Sequence, residues 1–151
     1  MQYRSSEKLL YFYKTLIKIK NIITMKINRY VDISTVEKEA KKDYIDRHSA
    51  FVYPQGEAKK GEKFVVKVKV GDEYLHPDDF DHYIAWVQLW DGEVQLAQAT
   101  MNAGALGSAP SQLEVDFYIV PTKKKMKLTA HAYCTKHGLW ESEEVVVEVA
   151  E

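Results

Sequence analysis

From residue 64 onward the apolar residues recur with a period of two. Phe64, Val66, Val68 and Val70 alternate with Val65, Lys67 and Lys69. Leu113, Val115, Phe117 and Ile119 alternate with Gln112, Glu114, Asp116 and Tyr118, and Met126, Leu128, Ala130 and Ala132 with Lys125, Lys127, Thr129, His131 and Tyr133. Successive side chains of a strand point to opposite faces, so each run reads as a strand with one face inward. Tyr83 to Trp90 is apolar on both faces, as for a central strand, and Asp91-Gly92 forms a hairpin turn into Val94 to Thr100. Asn102 to Pro110, rich in Gly, Ala and Ser, reads as a loop, and Glu144 to Val149 as a last strand. Six or seven short strands separated by turns predict an all-β fold, an antiparallel β-sandwich.

The segment before the strands is different. Leu9, Phe12, Tyr13, Leu16, Ile17 and Ile23 recur at helical spacing, with Lys8, Lys14, Lys18 and Lys20 between them. A start at Met25, with the upstream stretch mis-called as protein, is the preferred reading. A packing extension comes next and a membrane-surface helix last. Ser34-Thr35-Val36-Glu37 has the capping-box pattern and predicts a short helix through about Lys42, after which Asp43 to His48 leads into the body. The expected organisation is a short, partly helical N-terminal extension over 1–33 and one domain over 34–151.

Charge and cysteine content narrow the function. With 21 basic and 22 acidic residues the net charge is −1, against a general nucleic-acid binder. No apolar run reaches the roughly 18 residues that span a bilayer. A lone cysteine forbids an intrachain disulfide and fits a reducing compartment, so the expected location is cytoplasmic.

That cysteine sits in Tyr133-Cys134-Thr135-Lys136-His137-Gly138-Leu139-Trp140. Upstream lies His76-Pro77-Asp78-Asp79-Phe80-Asp81-His82, and His48 follows Asp46-Arg47. Taken singly, Cys134 is a small apolar residue turned inward, and His76 and His82 are polar residues at strand ends. Taken together, four histidines and a cysteine in three compact motifs predict one metal site. The fifth histidine, His131, falls on the outward parity of its strand and is left out. Imidazole and thiolate select transition metals over magnesium or calcium. Four nitrogens and one sulfur exceed the tetrahedral set of structural zinc. They suit a square pyramid, imidazoles in the base and sulfur at the apex, with one position open.

His76-Pro77 followed by His82-Tyr83-Ile84 and Trp86, then Tyr133 to Trp140, resembles the superoxide reductases, the iron domain of neelaredoxin and desulfoferrodoxin. The resemblance runs from about Ser34 to Val149. It implies an immunoglobulin-like sandwich carrying one mononuclear non-haem iron per chain, cycling between Fe2+ and Fe3+. His48, His76, His82 and His137 would be equatorial ligands and Cys134 the axial one. It also implies one-electron reduction of superoxide to hydrogen peroxide, re-reduction by an external donor such as rubredoxin, and assembly as a dimer or tetramer. Lys136, beside His137, and the Lys123 to Lys125 run read first as solvated charges and second as a docking surface for that donor.

The chain departs from the family at Asp46-Arg47-His48, where Glu-Lys-His is usual. Arg47 keeps the positive charge but gives up a proton far less readily than lysine. Asp46 is one methylene shorter than the glutamate that can reach the oxidised metal. Both are expected at the open position, Arg47 to attract and stabilise the anion. Thr135 replaces a usual Asn, and no four-cysteine centre precedes the domain. The rival readings are a cupredoxin-like electron carrier and a non-catalytic metal-binding sandwich. Blue-copper sites use two His and one Cys, usually with a Met beyond, and no methionine follows His137.

Overall fold

The protein is described here as a computed structural model covering residues 27–151, so the patterned segment 1–24 and the alternative start at Met25 lie outside the described residues. Nine strands and one helix make up the described chain: α1 (Glu39–His48), β1 (Ala50–Gln55), β2 (Ala58–Lys59), β3 (Phe64–Val70), β4 (Ile84–Asp91), β5 (Val94–Thr100), β6 (Leu113–Ile119), β7 (Lys125–Cys134), β8 (Gly138–Glu141) and β9 (Val145–Ala150). They form two sheets. One has the order β1-β3-β6; the other runs β2-β9-β7-β4-β5, with β8 pairing β7. All pairs are antiparallel except the two-residue pair of β2 with β9.

The expected sandwich is present, and the period-two runs face the core as read. Phe64, Val66, Val68 and Val70 on β3 are buried, as are Met126, Leu128, Ala130, Ala132 and Cys134 on β7. Between them pack Ile84, Val87 and Leu89 of β4 and Leu113 and Phe117 of β6. Burial of that apolar surface is the main force holding the sheets together.

Three expectations are corrected. First, the helix is displaced: residues 33–35 form a single 3-10 turn capped by Asp32, whose Oδ1 accepts the Ser34 N–H at 2.9 Å. The α-helix begins at Glu39 and runs to His48. Glu39, Ala40, Lys41 and Lys42 are strong helix formers, and Ile45 and His48 on its last turn bury themselves against the sandwich. Second, β4 is central in pairing but buried on one face only; Trp86 and Trp90 stay half-exposed, Trp86 stacked on Tyr133 at 5.4 Å. Two bulges, at Ile84/Trp86 and Leu89/Trp90, break the simple alternation there. Third, β1, β2 and β8 are strands that the alternation did not reveal. β1 contains Pro54 at a sheet edge, where its missing N–H costs no ladder bond.

Asn28, ahead of the expected domain start, joins the larger sheet beside β8, donating its N–H to the Leu139 carbonyl and accepting from Glu141 N–H. Gly71, just past β3, has φ +75°, and a Cβ there would lie 2.4 Å from the Tyr74 carbonyl oxygen and 3.4 Å from Arg47 Cα. Only glycine lets this turn press against the last turn of α1.

Candidate metal centre

The end of the sandwich where β7 meets β8 collects four imidazoles from two loops and a helix. His48 closes α1, and His76 and His82 lie on the connection from β3 to β4. His137 sits in the turn between β7 and β8, three residues beyond Cys134. Their rings form a closed square. Neighbouring centroids are 4.9 Å apart for His48 and His76, 4.8 Å for His76 and His82, 4.8 Å for His82 and His137, and 4.5 Å for His137 and His48. Across the diagonal, His48 and His82 stand 6.0 Å apart. Donor atoms of His48, His82, Cys134 and His137 all lie within 4.8 Å of one another. His76 falls outside that tight set, though its ring takes the fourth corner.

Each ligand candidate is held by its outer atoms. The Tyr44 carbonyl lies 2.6 Å from His48 Nδ1 and the Pro77 carbonyl 2.6 Å from His76 Nδ1. Bound this way, both rings carry their proton on Nδ1 and present a bare Nε2 inward. His137 presents Nδ1 instead, 2.8 Å from His48 Nε2 and 3.6 Å from Cys134 Sγ. Nε2 of His76 and of His82 are buried with no hydrogen-bond partner. Buried polar atoms without partners are costly, and imidazole nitrogens converging on one point are satisfied by a cation. The donor set therefore fits a transition metal.

Electrostatics favours neutral ligands. Burial holds His48 down at about 3 and His76 at about 4, in both cases with neighbouring imidazoles adding to it. His82 and His137 are also lowered, by burial first and then by nearby positive groups, Arg47 among them. Burial raises the Cys134 thiol, while the backbone N–H groups of Lys136 and His137 favour its thiolate. The Cys134–Gly138 pair closes the turn, with Gly138 at φ +80°.

Two loops that carry the site are anchored by buried carboxylates. Asp78 accepts N–H groups of Gly104, Leu106 and Ser108 at 3.2, 2.8 and 3.1 Å, tying the His76–His82 connection to the long loop before β6. His76 also exchanges both backbone hydrogen bonds with Ser111. Thr135 does the same with Tyr83 by backbone N–H and side-chain oxygen, so the Asn-to-Thr departure still joins the two motifs.

Asp46 anchors the other loop. Its Oδ2 accepts N–H groups of Asp72, Glu73 and Tyr74 at 3.0, 2.9 and 2.8 Å, and the residue is wholly buried. The expectation that it stands at the open position with Arg47 is corrected. Its side chain turns under the helix to the loop at 72–74 and is not part of the pocket lining. Arg47 does face it: a shallow pocket of about 190 Å³ is lined by Ala40, Asp43, Tyr44, Arg47, His48, His82 and His137.

Sequence reasoning missed Asp43, Tyr44, Asp78 and Trp140. Asp43 and Tyr44 lie four residues before Arg47 and His48, the spacing of helical neighbours, and were hidden only because the helix was ended too early. His131 is outside the site as expected, beside Trp90 and Glu141 on the outer face. Lys123, Lys124 and Lys125 each pair with a carboxylate, of Asp91, Glu151 and Glu148.

Comparison with known proteins points the same way. A family model described as Desulfoferrodoxin matches residues 35–143. The chain is similar to the superoxide reductase of Thermococcus kodakarensis, 37% identical over 89 residues that span 56% of this chain and 76% of that one. It is 36% identical to that of Pyrococcus furiosus over 97 residues, 56% of this chain and 78% of the other. Among solved structures, superoxide reductase (neelaredoxin) of Ignicoccus hospitalis superposes with a TM-score of 0.61 at 25% identity, covering 82% of this chain and 94% of that one.

Proposed function

The chain belongs to the desulfoferrodoxin family, and from that premise we propose that it is a superoxide reductase whose iron is held by His48, His76, His82, His137 and Cys134. The observation that carries the reading is the square of four imidazoles, two of them with buried, unpartnered Nε2 atoms, closed by one cysteine sulfur. Four imidazoles are twice what a blue-copper site uses, and this disfavours the cupredoxin reading.

A bound iron supplies the electron and the coordination position at which superoxide is reduced. The protein's own residues do the rest. The Tyr44 and Pro77 carbonyls fix the tautomers of His48 and His76, so that both offer a lone pair inward. Cys134 provides a thiolate screened from solvent by the core and steadied by two backbone N–H groups. Arg47, at the pocket mouth, raises the local concentration of a small anion and donates hydrogen bonds to charge that grows on it. The guanidinium keeps its proton, so the two protons that turn reduced superoxide into hydrogen peroxide come from solvent through the open pocket.

Re-reduction takes one electron from an external donor, for which a small redox protein such as rubredoxin is suited. The functional unit is a homo-oligomer in the cytoplasm. The lone cysteine, which needs to remain a thiolate, supports a reducing location. No helix among the described residues is long and apolar enough to cross a membrane.

The deciding experiment is metal content followed by turnover. Protein purified anaerobically from iron-supplied cells should hold about one iron per chain and consume superoxide with formation of hydrogen peroxide and no oxygen. Copper in place of iron, or oxygen release as in dismutation, would overturn the assignment.

A further inference from the structure

We propose that Asp43 sets the anion specificity of this pocket by occupying the arginine edge that would otherwise grip polyvalent oxyanions. The inference rests on the reading of the pocket as the entry for superoxide. Arg47 and Asp43 stand one turn apart on α1. A single oxygen, Asp43 Oδ1, accepts from Arg47 Nε at 2.6 Å and also pairs with Nη2. Both side chains are about one-third exposed or less and both line the pocket beside His48, His82 and His137.

The side-on Nε and Nη2 edge of an unengaged guanidinium is one of the two that clasp a carboxylate or phosphate by two parallel hydrogen bonds, the other being the end-on Nη1 and Nη2 fork. Here the side-on edge is taken. The Asp43 carboxylate offsets part of the guanidinium charge, and the outer Nη hydrogens left over suit a small monoanion. Phosphate and sulfate meet two obstacles: no free side edge on Arg47, and the Asp43 carboxylate repelling a second negative charge at short range. An arginine that is bulkier and more oxyanion-seeking than lysine is thus tolerated at the mouth of the site because its partner is built in four residues earlier.

The test is calorimetric titration of inorganic phosphate, then sulfate, into zinc-loaded protein at low ionic strength, where binding is read apart from turnover. Wild type, Asp43→Ala and the double variant Asp43→Ala with Arg47→Ala are compared, with Asp43→Ser replacing Asp43→Ala if the latter does not load zinc. Freeing the guanidinium should tighten phosphate about tenfold or more, the value of one charge-assisted hydrogen bond. The double variant should fall back to the weak binding of wild type. Equal phosphate affinity in wild type and Asp43→Ala, or tight binding that survives in the double variant, overturns the proposal. Superoxide consumption by the iron-loaded wild type, assayed without phosphate, tests the parent reading separately. An active wild type with no gain of phosphate binding in Asp43→Ala therefore rejects this inference alone.

Discussion

Trp140 lies nearly flat on His48, with ring centroids 5.1 Å apart and planes 20° from parallel. Tyr44 abuts both rings, at 5.4 Å from Trp140 and 4.8 Å from His48. The stack leaves His48 one orientation, the one that sends Nε2 inward. Trp140→Leu should keep the fold, yet weaken metal retention about 10- to 100-fold, the usual cost of losing a ligand's support. Competition with a coloured chelator measures it, and unchanged retention would show that the Tyr44 carbonyl alone orients the ring.

Cys134→Ser should abolish the sulfur-to-iron charge-transfer colour of the oxidised protein while the imidazole square still retains metal. Visible absorption beside metal content decides it. A colour that survived unchanged would remove Cys134 from the metal.

Asp46 has a structural task, and its variants should report stability before chemistry. Asp46→Ala strands three partly buried backbone N–H groups at 72–74 and should cost about 2 to 4 kcal/mol in urea unfolding. Asp46→Asn keeps an accepting oxygen and should cost less. If instead either variant left stability alone and shifted the spectrum of the oxidised iron, Asp46 would belong to the site.

The buried histidines make metal-free protein sensitive to acid. Their folded values, about 3 for His48 and about 4 for His76, lie below the ordinary 6.5. Between those limits the unfolded chain binds more protons than the folded one, so stability is fully present above about pH 6.5 and declines as pH falls toward 3. Urea midpoints of metal-free protein at pH 7.5, 6 and 5 should drop in that order. His48→Gln should flatten the slope.

Much of this was legible in the sequence because strands advertise their buried face. The parity of Met126 to Ala132 fixed the inward direction of Cys134 and the outward direction of His131, and the structure agrees on both. The convergence of His76, His82 and His137 was readable only as a coincidence of ligand types, since loop paths carry no period. Asp46 and Asp78 were illegible for another reason. A carboxylate that collects N–H groups from 26 to 30 positions away has no local signature. The helix was misplaced because a capping-box pattern at Ser34 to Glu37 outweighed the pull of Ile45 and His48 toward the core, and local propensity yields to burial.

The two loop anchors have a further consequence. Asp46 and Asp78 hold their loops without using any donor atom of the square, and the packed sheets beneath do the same. The scaffold that aims the ligands therefore draws its main stability from groups other than the metal donors, and a bound ion adds to it. Small domains whose folding energy comes from their metal are committed to it from birth. This chain instead rests on a packed core and two carboxylate anchors that use none of the four imidazoles. Copper and zinc bind nitrogen and sulfur more tightly than ferrous iron, so the donor set alone does not select iron, and supply at the time of loading has to favour iron for the square to hold it.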